Sequence, residues 1–204
     1  MLSDIIIPNN NEAEFVEIAS KLGIKKLHFL YDFNDYNEEK VQKKLLSIKN
    51  HHNISIETGI IVNQKNLNKA QQQSKFLVAK SSDKDRFFIE SKKIRLIYGL
   101  EEASKNDYLH QRASGLNHIT CELSKKNNVS IGFSYSSLFN NSHAASLLMG
   151  RMMQNINLCR KYKVKTIIGS FSNNPFHLRS PHDLSCLFAL FGMNNKQIRE
   201  SLSS

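Results

Sequence analysis

The chain has 204 residues, of which 40% are hydrophobic, and this is enough to build one sizeable core. We therefore predict a single domain over residues 1–204. Lysine and arginine number 28 against 18 acidic residues, which gives a formal net charge of +10. This excess favours polyanionic partners, with nucleic acid first among them, although a basic surface that only keeps the protein soluble is an open alternative.

Membrane anchorage and disulfide chemistry are not expected. The opening segment MLSDIIIPNN contains an apolar run of three isoleucines, which is too short for a signal peptide or a membrane span. Cys121, Cys159 and Cys186 lie far apart and outside any C-x-x-C pair, a distribution typical of reduced thiols in a core. We predict a cytoplasmic protein without membrane contact.

Short β-rich runs alternate with helical patterns along the whole chain. The runs are DIIIP (4–8), KLHFLY (26–31), ISIETGIIV (54–62), KFLVAK (75–80), IRLIYGL (94–100), VSIGFSY (129–135) and KTIIGS (165–170). Apolar residues with a helical period lie between them, first at Phe15, Ile18, Ala19 and Leu22, and predict buried helix faces. The polar stretch 63–75 predicts a short helix, and residues 201–204 are expected to be a frayed tail.

These alternating units predict parallel strands joined by crossover helices, and therefore an α/β fold. An open doubly wound sheet and a closed barrel both satisfy the pattern. Because the units cover nearly the whole chain, we favour an irregular TIM-like (β/α) barrel of about seven parallel strands.

Common catalytic motifs do not occur in the sequence. It contains no P-loop, no G-x-G-x-x-G and no G-x-S-x-G, and GFSYS at 132–136 is the nearest approach to the last. The eight histidines form neither H-x-H nor H-E-x-x-H, although a metal site assembled from distant strand ends stays open. Hydroxyl, amide and carboxyl groups follow the predicted strands, and such groups cap helices more often than they do chemistry. They are Pro8-Asn9-Asn10, Asp32, Asn63, Ser81-Ser82-Asp83, Glu101-Glu102, Ser136-Ser137 and residues 170–174.

Basic residues cluster before the last two strands. Lys125 and Lys126 end one helical pattern, and four more cations crowd the turn into the last strand: Arg160, Lys161, Lys163 and Lys165. The simplest interpretation is that cations at helix carboxyl ends complement the helix dipole, by about 0.3–1 kcal/mol each.

Arg179 does not fit that interpretation, because it stands at a helix amino end. Ser180 is a cap residue, Pro181 suits the first helical position, and Asp183 follows three residues after the cap. A cation there opposes the dipole, so we interpret Arg179 as part of a phosphate-binding seat. A salt bridge to a neighbouring carboxylate is the alternative.

Three segments of the carboxyl-terminal half resemble the ribonuclease P protein component 3 family. They are GLNHITCELSKKNNVSIGFSYSSL (115–138), LLMGRMMQNINLCRKYKVKTIIGSFS (147–172) and LRSPHDLSCLFALFGMNNKQIRESLS (178–203). The order of helix, strand, long Met-rich helix, strand and RSPHDL segment makes the resemblance specific.

The resemblance implies a barrel related to the polymerase-and-histidinol-phosphatase (PHP) type, without the metal-dependent activity of that superfamily. Where the superfamily carries H-x-H after the first strand, this sequence reads IIIPNN. It further implies a subunit of ribonuclease P, which removes the 5′ leader from precursor tRNA. In that enzyme the RNA subunit is the catalyst and uses magnesium, so no cofactor is expected in the protein.

The implied partners are the ribonuclease P RNA, precursor tRNA within the holoenzyme, ribonuclease P protein component 2 and other ribonuclease P proteins. RNA-contact roles are implied for Arg179, His118, Lys126, Lys163 and Lys165, and no catalytic or metal-binding residue is implied. A metal-dependent phosphoesterase on a PHP-like barrel is the alternative function.

A protein interface is predicted near Leu138 and Phe139, which precede the polar NNSH segment (140–143). Apolar groups beside polar ones at a barrel rim often mark such an interface. The alternative is that both side chains plug the end of the barrel.

Overall fold

The computed structural model describes residues 2–49, 53–140 and 142–203, and its strands form one parallel sheet in sequential order. The strands are β1 (Ser3–Ile6), β2 (Lys26–Asp32), β3 (Ser55–Val62), β4 (Leu77–Lys80), β5 (Leu96–Tyr98), β6 (Ser130–Ser134) and β7 (Thr166–Gly169). Each of the predicted strands is confirmed, with boundaries that shift by no more than two residues.

Helices return the chain between strands and surround the sheet. They are α1 (Glu12–Lys21), α2 (Glu38–Lys49), α3 (Leu67–Gln73), α4 (Asp85–Ser91), α5 (His118–Asn127), α6 (Ser137–Asn140), α7 (Ser142–Tyr162), α8 (Pro181–Leu190) and α9 (Asn195–Leu202). Short 3₁₀ helices occupy Leu100–Glu102 and Pro175–His177. The short helix predicted within 63–75 is confirmed as α3. Across the described ranges, none of the helices has the length and apolar character that a membrane crossing requires.

The parallel strands give the barrel two distinct ends. We call the end where the strands finish the upper end, and the end where they begin the lower end. Helices that connect successive strands run from the upper end to the lower end, because each must bring the chain back to the start of the next strand.

The first and last strands approach each other and nearly close the sheet. The Phe171 amide donates to the Ile5 carbonyl at 2.7 Å, and the Ile7 amide donates to the Ser172 carbonyl at 3.0 Å. The predicted irregular barrel is therefore confirmed, and the open doubly wound sheet is excluded.

Aromatic rings fill the inside of the barrel. The Tyr98 and Phe171 rings stack there with centroids 4.3 Å apart, next to the buried side chains of Leu30 and Val78. Gly132 on β6 makes room for them, because a Cβ at that position would lie 2.9 Å from the Tyr98 Cβ. Larger apolar clusters between the sheet and the helices complete the core.

Two expectations are wrong in part: that residues 201–204 form a frayed tail, and that all three cysteines lie in the core. Ser201 and Leu202 are not frayed but belong to α9, where Leu202 is buried and the Ser201 and Thr166 hydroxyls are 2.6 Å apart. Residue 204 of the expected tail lies outside the described residues. Cys121 and Cys159 are buried as expected, but Cys186 is exposed on the outer face of α8.

Candidate functional site

A buried carboxylate joins the strands on either side of the barrel closure. Asp4, which is 2% exposed, accepts hydrogen bonds from the Tyr135 hydroxyl at 2.6 Å, the Ser170 amide at 2.7 Å and the Ile5 amide at 2.7 Å. Burial raises the pKa of Asp4 to about 6, against the lowering effect of these donors. Tyr135 also hydrogen-bonds the backbone of Arg179, so the network connects the segment between β7 and α8 to the barrel.

Several other polar groups at the upper end make local hydrogen bonds. Asn63 accepts from the amides of residues 65 and 66, and Asp85 accepts from the Ser81 hydroxyl and the Ser82 amide. The Ser136 hydroxyl donates to the Ser170 carbonyl. These are turn and cross-strand hydrogen bonds, and the N-cap residues of α3 and α4 make no side-chain cap hydrogen bond, so the predicted capping role is not confirmed at Asn63, Ser81, Ser82 or Ser136.

The loop after β5 is held by a buried arginine. Arg151 on α7 is fully buried, donates to Asp107 at 2.7 Å, and donates to the carbonyls of Glu101 and Ser104. Glu101 accepts from Asn155 at 2.9 Å, and burial raises the pKa of its carboxyl to about 7. These groups anchor the loop to α7.

The described residues contain no group of three or more histidine, cysteine, aspartate or glutamate side chains positioned to hold a metal ion. At the end of β1, where a PHP enzyme carries its H-x-H ligands, the chain continues as Ile7, Pro8 and Asn9. The donor set here does not fit a PHP-type metal centre, so we derive no chemistry from one.

The predicted start of α8 is confirmed. The Ser180 hydroxyl accepts from the Asp183 amide at 3.2 Å and donates to the Asp183 carboxylate at 2.7 Å, and Pro181 occupies the first helical position. Half-buried Arg179 donates through Nη1 to the carbonyls of Phe176 and Leu178. Its guanidinium carbon lies 4.6 Å from the centroid of the Phe139 ring. The salt bridges among described residues do not include Arg179.

A basic groove crosses the lower end. Two adjoining cavities of about 330 and 860 Å³ share the lining residues Ser130, Lys165 and Ile167. We call their union the basal groove, and its basic side chains are Lys75, Arg95, Arg160, Lys163, Lys165 and Lys196. Glu200 is its acidic lining residue, at 4.0 Å from Lys196. The groove therefore carries a strong excess of positive charge.

The structure does not bring the predicted RNA-contact residues into one patch. Lys163 and Lys165 are exposed in the basal groove, and exposed Lys126 lies at the same end, on the last turn of α5. His118 begins α5 and Arg179 precedes α8, so both lie at the upper end. The length of β7 alone separates the ends by about 13 Å, since a strand rises about 3.3 Å per residue.

Sequence reasoning missed Lys75 and Arg95 in the basal groove. Arg95 directly precedes β5 and Lys75 stands two residues before β4, just as Lys165 directly precedes β7. A basic residue recurring before successive strands was a readable signal, because the amino ends of parallel strands meet at one end of a barrel. Phe176, which is 76% exposed beside Arg179, was also missed.

The predicted interface residues separate in the structure. Leu138 is buried in the main core cluster, which fits the plugging alternative, whereas Phe139 is 44% exposed at the upper end. Of the NNSH segment, residue 141 and the side chains of its neighbours lie outside the described residues.

Solved structures with a similar fold support this architecture. A chain in the cryo-EM structure of an archaeal ribonuclease P with mature tRNA is similar with a TM-score of 0.80 at 15% identity, over 98% of this chain and 87% of that one. An amidohydrolase crystal structure is similar with a TM-score of 0.58 at 8% identity, over 98% and 71% of the two chains. The protein is therefore a nearly closed α/β barrel, with a fold similar to that of this amidohydrolase.

Comparison with the sequences of known proteins indicates a more specific similarity than the fold does. Residues 106–204 match the family model described as RNase P subunit p30. Ribonuclease P protein component 3 of Methanococcoides burtonii is 32% identical over 93 residues, which are 45% of this chain and 39% of that protein. The Thermococcus kodakarensis protein of that name is 29% identical over 103 residues, 50% of this chain and 47% of that protein. The chain thus spans less than half the length of these two curated relatives.

A longer match reaches into the amino-terminal half. Component 3 of Methanococcus maripaludis is 23% identical over 180 residues, 85% of this chain and 75% of that protein. The carboxyl-terminal part of the chain, residues 106–204, is thus similar to the RNase P subunit p30 family.

Proposed function

We propose that this chain is a protein subunit of ribonuclease P, which binds the RNA subunit while that RNA removes the 5′ leader from precursor tRNA. The family match over residues 106–204 carries the proposal. The fold likeness to a chain from an archaeal ribonuclease P with mature tRNA supports it. On this proposal the partners are the ribonuclease P RNA, component 2 and the other protein subunits, and the particle works in the cytoplasm.

On the same proposal the protein alone is not a catalyst and the magnesium ions serve the RNA subunit. Support comes from the upper end of the barrel, where Asp4 and Asp85 are engaged in hydrogen bonds of the fold. The test is metal analysis and precursor-tRNA cleavage with the purified protein. We expect neither stoichiometric zinc or manganese nor cleavage. Phosphoesterase activity that tracks bound metal and survives nuclease treatment would establish the barrel enzyme instead.

The basal groove is the surface that we assign to RNA phosphates. Exposed Lys75, Arg95 and Lys165 line its narrower part, and the salt bridges among described residues include none of them. Unneutralised cations that line one concave surface attract a phosphate backbone and release its counterions on binding.

A triple substitution tests this assignment: Lys75→Ala, Arg95→Ala and Lys165→Ala in one chain. If each side chain neutralises one phosphate, the slope of log K against log salt becomes shallower by about 2 to 3, because each contact contributes about 0.7 to 0.9. The measurement is a salt titration of binding to ribonuclease P RNA. A matched triple variant at exposed lysines outside the groove, Lys40, Lys43 and Lys69, should keep the wild-type slope. Equal slopes for both variants would contradict the groove assignment.

The component 2 partnership has its own test. We expect a joint peak in size-exclusion chromatography of the two proteins at micromolar concentration, and two separate peaks would count against the partnership.

A further inference from the structure

An aromatic patch surrounds Arg179 at the upper end of the barrel. Its members are Phe139, Phe176, His177 and Arg179, and we use the name aromatic patch for these four residues. The Phe139 and His177 rings lie 5.8 Å apart, and the guanidinium carbon of Arg179 lies 4.6 Å from the Phe139 centroid. Phe176 is 76% exposed and its carbonyl accepts a hydrogen bond from Arg179.

The turn that presents Phe176 is anchored by buried neighbours and by local hydrogen bonds. Its neighbours Pro175 and Leu178 are buried, so the turn is anchored on both sides of the exposed ring. Asn174 accepts from the Phe176 amide at 3.0 Å, and the Ser172 hydroxyl lies 2.9 Å from His177 Nδ1. The ring is therefore held outward by the structure of the turn.

An exposed ring fixed in this way suits a binding role. Burial of a phenylalanine side chain stabilises a fold, and the Phe176 ring, at 76% exposed, contributes little of that stabilisation to the folded chain. Because the backbone of this turn is already ordered, the protein loses little further conformational entropy when a ligand stacks on the ring. A contiguous exposed patch of apolar groups with polar residues at its rim often marks an interaction surface.

The charge of the patch favours nucleic acid over an apolar protein surface. Both hydrogen bonds that the Arg179 guanidinium makes to described residues come from Nη1, which leaves the edge formed by Nε and Nη2 for a ligand. An aromatic ring beside a guanidinium that can meet phosphate is the combination that binds unpaired nucleotides. The formal net charge of +10 acts in the same direction.

We propose that the aromatic patch binds an unpaired nucleobase of RNA, with Phe176 stacking on the base and Arg179 contacting the adjacent phosphate. This inference rests on the proposed function. It goes further by specifying the kind of RNA that the upper end recognises. Stacking requires a base that is splayed out of a helix, since side chains cannot read the deep, narrow major groove of an RNA duplex. The upper end therefore recognises a single-stranded segment.

The test measures the binding of the full chain to two probes, a labelled single-stranded oligouridylate of about a dozen nucleotides and an RNA duplex of equal length. Phe176→Ala should weaken oligouridylate binding about 5- to 150-fold, the range that the loss of one stacked base gives. Duplex binding and the salt slope should stay at wild-type values, because the ring contacts no phosphate. Phe176→Trp should retain oligouridylate binding. Leu190→Ala, at a 78% exposed position at the far end of α8, is the matched control and should bind like wild type.

Several results would overturn the patch assignment. One is wild-type oligouridylate binding by Phe176→Ala, and another is an equal loss on both probes. Intact RNA binding with loss of co-elution with component 2 would identify the patch as a protein-docking surface instead. If the wild-type chain binds neither probe nor ribonuclease P RNA, the proposed function fails together with the patch, whereas normal binding by both Phe176→Ala and wild type rejects the patch alone.

Discussion

Replacing Asp4 with asparagine should remove a specific part of the pH dependence of folding stability. The pKa of Asp4 is raised by burial to about 6, above its ordinary 3.8, so the folded protein favours the protonated carboxyl. The stabilising contribution of this group is therefore complete below the unfolded pKa of 3.8 and is lost as the pH rises through about 6.

The size of the effect follows from these two pKa values. Linkage between about 3.8 in the unfolded chain and about 6 in the folded one makes the wild type about 1.3 kcal/mol more stable near pH 5 than near pH 7. Asp4→Asn lacks this increment, while its amide keeps the shape of the carboxyl group. Burial also raises the pKa of Glu101, to about 7, but that contribution occurs in both proteins and cancels in the difference.

The assay is urea unfolding of both proteins across this pH range. We expect the stability difference, wild type minus Asp4→Asn, to grow by about 1.3 kcal/mol towards acid. Asp35→Asn, at an exposed position, controls for the change in net charge. A difference that shrinks towards acid would refute the reasoning, because it would mean that the three hydrogen-bond donors outweigh burial and favour the ionised carboxylate.

Two further predictions concern Arg179 and Gly132. Arg179→Ala should weaken binding to ribonuclease P RNA and make the salt slope shallower by about 0.7 to 0.9 without lowering the melting temperature, and Arg179→Lys should recover part of the loss. A lowered melting temperature with an unchanged salt slope would instead indicate an internal role for the arginine. Gly132→Ala should lower the free energy of unfolding by about 1 to 3 kcal/mol in urea titrations, because its Cβ would lie 2.9 Å from the Tyr98 Cβ. Unchanged stability would show that the barrel interior relaxes freely around the new methyl group.

The strands, most helices and the fold class could be predicted from the sequence, because these depend on local periodicity. The runs at 26–31 and 129–135 alternate with amphipathic helices, and a short β-rich run between helices has few alternatives to a parallel strand. The start of α8 was equally readable, since the cap at Ser180 depends on its own next three residues. The family resemblance also depends on contiguous segments, such as residues 147–172, which can be recognised without knowledge of tertiary contacts.

Tertiary structure alone decided which of these residues lie together. Nothing local indicates that Asp4 meets Tyr135 and Ser170, because their contact depends on the barrel closing between β1 and β7. Closure likewise brings Lys75 and Lys165 into one groove and leaves Arg179 at the other end. The spacing of residues along a chain determines the periodicity of each element, whereas the site depends on the register and curvature of the whole sheet.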